Sequence, residues 1–419
     1  MTLAQDHPLL DRLRHEGVEV RAEEPVPMAC PGSEEQIQAV LALAEEADAR
    51  VVPMGAGSKL GWCRPEVARD GADLLLSVAR LSNVTEYVAG DGVVTAEAGC
   101  PLETLEHTVA AGGHRLTPTL AVPEGQTLGG AIASGISGPD RVRHGPFRHH
   151  VLGLRVMLSD GRTATSGGKL VKNVTGFDLH RLYTGSRGTL CVILSASLRL
   201  FPEPERLVGI SVESDSVEEL LEESCTFANQ PSPPLAVSIH GTPGGTWTLD
   251  LVLAGRSAQL DADLQDLSAR MREGLRTEGD GAAALLREIA SREGRPGLWP
   301  QAKMTTRPTQ LPAAVQALGA EVSPGGGHLA LQPTEGIGFL FAPDLADADP
   351  AVQVERLNHW RKQVSLAGGR LDPMAVDSLV HGELAPGADA GIRERWAVSL
   401  RNRLDPRGRF RSPSFPCKP

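Results

Sequence analysis

The sequence predicts an α+β protein of more than one domain, on three observations. Amphipathic helical segments alternate with short apolar runs through the first half; Pro202-Glu-Pro-Glu breaks the chain; and the segments beyond read strand, helix, strand, strand, helix. The 419 residues hold 46 Gly, 31 Pro and only 4% aromatic residues against 41% hydrophobic ones, so the cores are built chiefly of Ala, Val and Leu. At 22% charged, the chain lacks the charge-rich, hydrophobe-poor signature of disorder.

Ser33 to Ala49 places Ile37, Val40, Leu41 and Ala44 at helical spacing behind a Ser-x-x-Gln start, the capping-box pattern. Arg50 to Met54 is a short strand running into the loop Gly55-Ala-Gly-Ser-Lys-Leu-Gly61. LLLSVARL and Asp91 to Glu97 give two further strands, and Leu102 to Ala111 a short amphipathic helix. Thr127 to Ser137 (TLGGAIASGIS) holds only small or apolar residues and reads as a second loop. Val151 to Asp160 is an apolar strand ended by an Asp-Gly turn. GSRGTL at 185–190 is a third small-residue loop, leading into the strand Cys191 to Leu200.

Two prolines within three residues at 202–204 rule out a helix and make a poor central strand, so a domain ends there. Beyond it, LVGISVES, SVEELLEESCTFANQ, LAVSIHG, TWTLDLVLAG and SAQLDADLQDLSARM predict a small antiparallel sheet with helices on one face. The expected division is 1–204, 205–403 and a tail, 404–419. No internal repeat or low-complexity segment is present.

Lys+Arg is 41 and Asp+Glu 52, a net charge of -11, the wrong sign for a general nucleic-acid binder. No run approaches the roughly 20 apolar residues of a membrane-spanning helix. The N-terminus has charges where a signal peptide has its apolar run, so a cytoplasmic location is expected. Cys30, Cys63, Cys100, Cys191, Cys225 and Cys417 form no C-x-x-C pair and read as free thiols, which excludes locally ligated zinc or iron–sulfur centres.

Gly55 to Gly61 follows a strand and can turn backbone N–H groups toward a phosphate. It is neither G-x-G-x-x-G nor a P-loop, and an ordinary tight loop explains it equally. Gly129, Gly130, Ala133, Ser134, Gly135 and Gly138 are depleted of side chains, which suits either a bulky ligand against the backbone or close protein packing. With Gly185, Ser186 and Gly188 as a third such turn, a long ligand with phosphates and a flat ring becomes the better reading.

The segments GHRLTPTLAVPEGQTLGGAIASGISGPDRVRHGPFRHHVLGLRVMLSDGR and GGKLVKNVTGFDLHRLYTGSRGTLCVILSASLRLFPEPE resemble the FAD-binding domain of the vanillyl-alcohol oxidase / p-cresol methylhydroxylase (PCMH) type. Within it they are most similar to the FAD-binding subunits of glycolate oxidase. The likeness covers about Val51 to Pro204, and the tail Leu404-Asp-Pro-Arg-Gly-Arg-Phe resembles that family's closing segment. It implies a PCMH-type domain of two α+β subdomains, followed by a smaller α+β cap domain with an antiparallel sheet.

The resemblance also implies a cofactor, FAD, held mainly through the backbone. Pro53, Met54, Gly55, Ala56, Gly57, Ser58, Lys59 and Leu60 would take the pyrophosphate. Pro118, Gly125, Thr127, Leu128, Gly129, Gly130, Ser134, Gly135 and Gly138 would line the flavin and ribityl chain, and Val192 with Ile193 the ring or adenine side. Several relatives bind flavin covalently through a histidine where Ser58 and Lys59 stand, so the FAD here is expected to be non-covalent. Cys191, His149, Leu194-Ser195 and Phe410-Arg-Ser-Pro depart from the family pattern, and the larger side chain at 191 either crowds the adenine or fills a core.

Arg143 and His144, in RVRHGPFRHH, are the candidates for groups near the flavin, where a cation stabilises the reduced ring; a solvated basic loop is the alternative. Metal binding by His144, His149 and His150 lacks a carboxylate at ligand spacing, so no metal is expected. Lys172, Asn173 and Asp178 would order a loop over the flavin or form a structural ion pair. In the second domain, where a 2-hydroxy acid enzyme of this family carries its H-x-x-x-x-x-x-H and H-x-G-D-G-N-x-H patterns, neither is found, and His240, His328, His359 and His381 are isolated. The expectation is therefore a flavin-binding subunit that oxidises glycolate or a related small 2-hydroxy acid with a homologous catalytic flavoprotein subunit and an iron–sulfur subunit. Peripheral membrane association would come through those partners. A self-sufficient FAD oxidoreductase and a scaffold that has lost FAD are the alternatives.

Overall fold

The computed structural model describes residues 8–21, 26–59, 72–120, 125–169, 176–228, 232–268, 271–294, 300–322, 326–374, 380, 384 and 390–410. The chain starts with α1 (Pro8–His15), β1 (Glu19–Arg21), β2 (Met28–Cys30), α2 (Glu34–Glu46), β3 (Val51–Met54) and β4 (Leu74–Ser77). These strands form one sheet in the order β1-β2-β4-β3, parallel except for the edge strand β1. The α2 helix starts where its cap pattern predicts: Ser33 Oγ accepts from Gln36 N at 3.2 Å, and Gln36 Oε1 accepts from Gly32 N at 2.7 Å. It buries Ile37, Val40, Leu41 and Ala44. Each such aliphatic side chain contributes about 1.5–3 kcal/mol on leaving water.

A second sheet follows, built from β5 (Val84–Val88), β6 (Val93–Glu97), β8 (Val151–Met157), β9 (Thr163–Gly167) and β10 (Val192–Arg199). It is antiparallel in the order β5-β6-β10-β8-β9, with β10 at its centre. The continuously apolar run at 192–194 belongs to that central position, buried on both faces. Two helices interrupt the strands, α3 (Leu102–Ala110) and α4 (Leu128–Ser134), and β7 (His114–Arg115) pairs with β11 (Phe201–Pro202). One core, including Leu74, Leu76, Val94, Leu128, Ile132 and Leu198, is shared by both sheets.

The segment read as a second loop is in fact α4. Thr127 Oγ1 accepts from Gly130 N at 3.3 Å as its N-cap, and Gly135 closes it as C-cap. Gly129 and Gly130 disfavour a helix, but Leu128, Ala131 and Ile132 are fully buried, and tertiary packing overrides the propensity.

Beyond residue 205 lies an antiparallel sheet larger than the small one expected. It runs over β12 (Arg206–Ser214), β13 (Ala236–Gly241), β14 (Trp247–Gly255), β15 (Leu275–Glu278), β16 (Ala302–Thr305), β17 (His328–Gln332), β18 (Ile337–Phe341) and β19 (Arg370–Pro373). Its eight strands are ordered β15-β12-β14-β13-β17-β18-β16-β19. The last five are short, and β15, with only one partly covered residue, shows little apolar alternation. Helices Val217–Ala228, Leu311–Val322 and Pro350–Leu366 cover one face through Leu220, Leu318 and Trp360. The other face is not bare: helix Asp280–Ser291 packs Leu286 and Ile289 on Ala236 and Val252. The rest of it, with Ala330, Ile337, Phe339, Phe341 and Met374, meets Ile136 beside α4.

The chain returns after helix Ala390–Leu404 to the first sheet, where Phe410 bridges Val51 in parallel and Val51 N donates to Arg409 O at 2.8 Å. The Asp405 carboxylate fixes this return by accepting from Arg409 N and Phe410 N, both at 2.8 Å. Cys30, Cys100 and Cys191 are buried free thiols and Cys225 an exposed one; Cys63 and Cys417 lie outside the described residues. Among those residues, no helix is long and apolar enough to cross a membrane.

Candidate functional site

A cleft, partly open to solvent, lies where the first two sheets meet. Its first wall is the end of β3 and the turn after it, Val52 to Lys59, with Val78 behind. The turn is held by two bonds, Val78 N to Met54 O at 2.9 Å and Ser77 Oγ to Gly55 O at 3.1 Å. Gly55 must be glycine, because a Cβ there would stand 1.9 Å from Thr127 Oγ1. The backbone N–H groups of Ala56, Gly57, Ser58 and Lys59 have no hydrogen-bond partner among the described residues, which leaves them available to an anion.

The second wall is α4, contributing Thr127, Gly129, Gly130, Ala133 and Ser134. The helix is set against β6 and β10 by Leu128 N to Cys100 O at 2.9 Å and Gly129 N to Ala98 O at 2.7 Å. At Gly129 a Cβ would lie 2.7 Å from that of Ala98, so here the missing side chain answers to protein packing. The third wall is the turn Arg187-Gly188 with Cys191, Val192 and Ile193 at the start of β10. Arg187 N donates to Ala133 O at 2.8 Å and Gly185 N to Ile132 O at 2.9 Å, which ties this turn to α4.

Lys59 and Arg187 are the charged residues lining the cleft, and no carboxylate lines it among the described residues. The cleft is therefore cationic. The Lys59 ammonium is enclosed with no hydrogen-bond partner among the described residues, and burial pushes it down to about 7 against the opposing pull of Glu293. An isolated buried charge costs several kcal/mol. Burial also pushes the Cys191 thiol well up, so it stands in the cleft as a neutral apolar side chain.

Of the sequence-predicted residues, Pro53, Met54, Gly55, Ala56, Gly57, Ser58, Lys59, Thr127, Gly129, Gly130, Ser134, Val192 and Ile193 come together in the cleft lining. Leu60 lies outside the described residues. Leu128 points into the core instead, and Gly135 backs onto Gly185. Pro118, which follows a cis peptide bond, packs with Gly138 away from the lining; Gly125 sits behind Ala56.

Arg143 and His144 are not in the lining either. Arg143 Nη1 donates to Ala254 O at 2.6 Å, tying the first domain to β14. His144 packs against Phe201 with ring centroids 4.3 Å apart and the rings tilted at 42°, and burial, aided by Arg115 and Arg143, pushes it down to about 4. It is neutral there and poorly placed to donate charge to the cleft. Lys172 and Asn173 lie outside the described residues, and Asp178 pairs with Arg181 at 3.3 Å.

Sequence reasoning missed Val52, Val78 and Arg187, whereas Ala133, named with the small residues of 129–138, does line the cleft. Only Arg187 carried a signal, as the lone charge between the glycines of GSRGTL. It also missed a polar group on the face of the large sheet toward the first domain. There Gln332 Nε2 donates to Glu293 Oε1 at 2.7 Å, and the Lys303 ammonium lies 5.5 Å from the Phe339 ring. Burial pushes Lys303 down, with Glu293 opposing and Arg141 and Arg187 adding to the shift. Glu293 thus acts on both Lys59 and Lys303, which brings this face beside the cleft. Among the described residues no group of three His, Cys, Asp or Glu is placed to hold a metal ion.

Residues 25–167 match the family model of the FAD binding domain. The chain is 34% identical over 195 residues to a D-2-hydroxyglutarate dehydrogenase of Xanthomonas citri pv. viticola, covering 46% of this chain and 41% of that one. It is 33% identical over 185 residues to the glycolate oxidase subunit GlcE of Escherichia coli, covering 44% and 51%. A D-lactate dehydrogenase of Archaeoglobus fulgidus is 33% identical over 203 residues, covering 48% and 44%. The chain thus spans about half or less of the curated relatives it matches. Among solved structures, a carbohydrate oxidase from Microdochium nivale superposes with a TM-score of 0.72 at 17% identity, over 98% of this chain and 100% of that one. An alkyldihydroxyacetonephosphate synthase superposes with 0.66 at 16%, over 94% and 77%. At these identities the two share the fold, mixed helices and sheets with antiparallel sheets. The chain carries an FAD-binding domain and is related to 2-hydroxy acid dehydrogenases and glycolate oxidase subunits.

Proposed function

We propose that this chain binds FAD non-covalently in the cleft between its first two sheets and acts as the flavin-binding component of an enzyme that oxidises a small 2-hydroxy acid. The observation that carries the reading is the cleft itself: a glycine turn with free N–H groups and two cations, opening onto an apolar wall of α4 and β10. That donor set suits an anionic dinucleotide with a flat ring. The turn Pro53 to Lys59 would take the diphosphate. Thr127, Gly129, Gly130 and Ser134 would take the ribityl chain and ring, and the backbone of Val192 and Ile193 the other side.

When bound, FAD accepts the two electrons released as the carbon–hydrogen bond of the acid is broken. The chain's own part is to bind and enclose. Ala330, Phe339 and Met374 on the large sheet, packed against Ile136, exclude water from that side. Ser58, standing where several relatives carry a histidine, offers no ring nitrogen for a covalent link.

A separate catalytic flavoprotein chain and an iron–sulfur chain are the proposed partners, in a cytoplasmic assembly that meets the membrane only peripherally. The support is the 33% identity to a glycolate oxidase subunit and the lack of both histidine patterns beyond residue 205. A self-sufficient oxidoreductase is the second reading, favoured by Lys303, Gln332 and Glu293 on the sheet face beside the cleft.

The absorption spectrum of the purified chain, before and after acid precipitation and then with anaerobic glycolate or D-lactate, tests all of this. A yellow protein that gives up its flavin to acid and is not bleached by either substrate, but is bleached after adding the partner chains, is the expected result. Bleaching of the chain alone would replace the subunit reading with the second one. A colourless protein that takes up no FAD would end both.

A further inference from the structure

We propose that the surface around Phe177 docks this chain on an anionic lipid bilayer. The inference gives the peripheral membrane contact of the proposed assembly a surface on this chain, and it rests on that part of the reading alone. Gly176, Phe177, Asp178 and Leu179 are four consecutive exposed residues at the turn into helix Leu179–Tyr183. Phe177 is 90% exposed, more than any other large apolar side chain among the described residues, and Leu179 is 41% exposed beside it. Both hold apolar area in water that a partner would remove.

The surroundings of these two side chains are cationic. Helix Leu179–Tyr183 lies beside the turn Phe147–His149, which brings the exposed Arg148 and His149 to the same surface as Arg181. Arg148 has no hydrogen-bond or ion-pair partner among the described residues, and Asp178 offsets Arg181 at 3.3 Å. Partial burial, and then the charges of Arg148, Arg181 and Arg141, push the His149 imidazole below its ordinary range, and no carboxylate among the described residues opposes them. The local potential is positive, whereas the chain as a whole carries -11. An anionic surface therefore attracts this patch and repels the rest, which sets the orientation. A protein partner would need a pocket shaped to the protruding Phe177, whereas a bilayer takes an apolar side chain anywhere along its surface. Two apolar side chains and a few arginines give reversible binding, half-complete at an accessible lipid concentration on the order of 10⁻⁴ M.

The test is co-sedimentation of the full chain with vesicles of phosphatidylcholine alone or mixed equally with phosphatidylglycerol, at low and high salt. The variants are Phe177→Ser, Phe177→Trp, Arg148→Glu and, as a control at an exposed leucine on β15, Leu275→Ser. Thermal unfolding checks that each folds. The wild type is expected to bind the phosphatidylglycerol vesicles and leave the neutral ones, with release at high salt. Phe177→Ser and Arg148→Glu should each weaken binding about tenfold, the factor that 1.4 kcal/mol corresponds to, whereas Phe177→Trp and Leu275→Ser keep it. A wild type that sediments with neither vesicle would overturn the proposal, as would variants at 177 and 148 that bind like the wild type. Self-association of the chain that Phe177→Ser abolishes, without vesicle binding, would make the patch a protein contact and overturn it too. The flavin spectrum of the same samples reports on the cofactor separately, so failure here leaves the FAD reading standing, and a colourless chain that binds vesicles ends that reading alone.

Discussion

Gly55 and Thr127 are the two residues on which the cleft closes. Thr127 caps α4 through Gly130 N, and its Oγ1 occupies the space that a Cβ on residue 55 would need. Gly55→Ala should therefore cost about 1–3 kcal/mol through overpacking, and Thr127→Ala about 1 kcal/mol through the lost cap. The double variant should cost less than the sum, since removing Oγ1 relieves the clash; denaturant unfolding of the four proteins measures the coupling. Strict additivity would mean that the two residues do not meet. At the same scale the small residues of 127–138 have mixed reasons. Gly129 is small because Ala98 is close, whereas Gly130 and Ser134 face the cleft.

Two elements carry polar groups whose protonation matters to stability. His144 and His150 flank Phe201, with ring centroids at 4.3 and 5.5 Å, and burial pushes each down to about 4. Their folded values lie below the ordinary one, so the stability they contribute is full above pH about 6.5 and is lost as pH falls toward 4. Discounted for partial exposure, the loss is on the order of 1 kcal/mol each by pH 5. A His144→Leu, His150→Leu variant should accordingly lose less of its Tm between pH 7 and pH 5 than the wild type. In the large sheet, Asp250 is buried on β14 and is held by Arg292 at 2.7 Å and Ser211 at 2.5 Å. Arg292→Met leaves that carboxylate without its main counter-charge and should cost about 3–5 kcal/mol in chemical denaturation.

The whole molecule is tied together by a few crossings. Arg143 reaches β14, Arg141 pairs with Glu335 at 3.3 Å, and Ile136 packs on the large sheet. The tail closes the first domain by placing Phe410, fully buried, beside Val51 at the base of the strand that leads into the cleft. Phe410→Ala should cost about 3–5 kcal/mol. Because β3 positions the glycine turn, the same variant should also weaken FAD binding. A loss of stability with unchanged FAD affinity would show that the turn is held by β4 and α4 alone.

Most of the first domain was legible because its signals are local. A cap pattern, a buried apolar run or a glycine turn is written within a dozen residues, as α2, β10 and the 55–59 turn show. Thirteen predicted residues line the cleft: 53–59 at the end of β3 and in the turn after it, and the others on α4 and at the start of β10. What the sequence could not specify is which neighbour fills each space. Only the tertiary structure decided that 128–134 is a helix, that Arg143 reaches β14 while His144 packs on Phe201, and that five more short strands complete an eight-stranded sheet. The same holds for Lys59: its place in a glycine turn is written in the chain, but its burial and the opposing pull of Glu293, far away in sequence, are decided by the fold. Local backbone preference acts over a few residues, whereas burial and charge act through space.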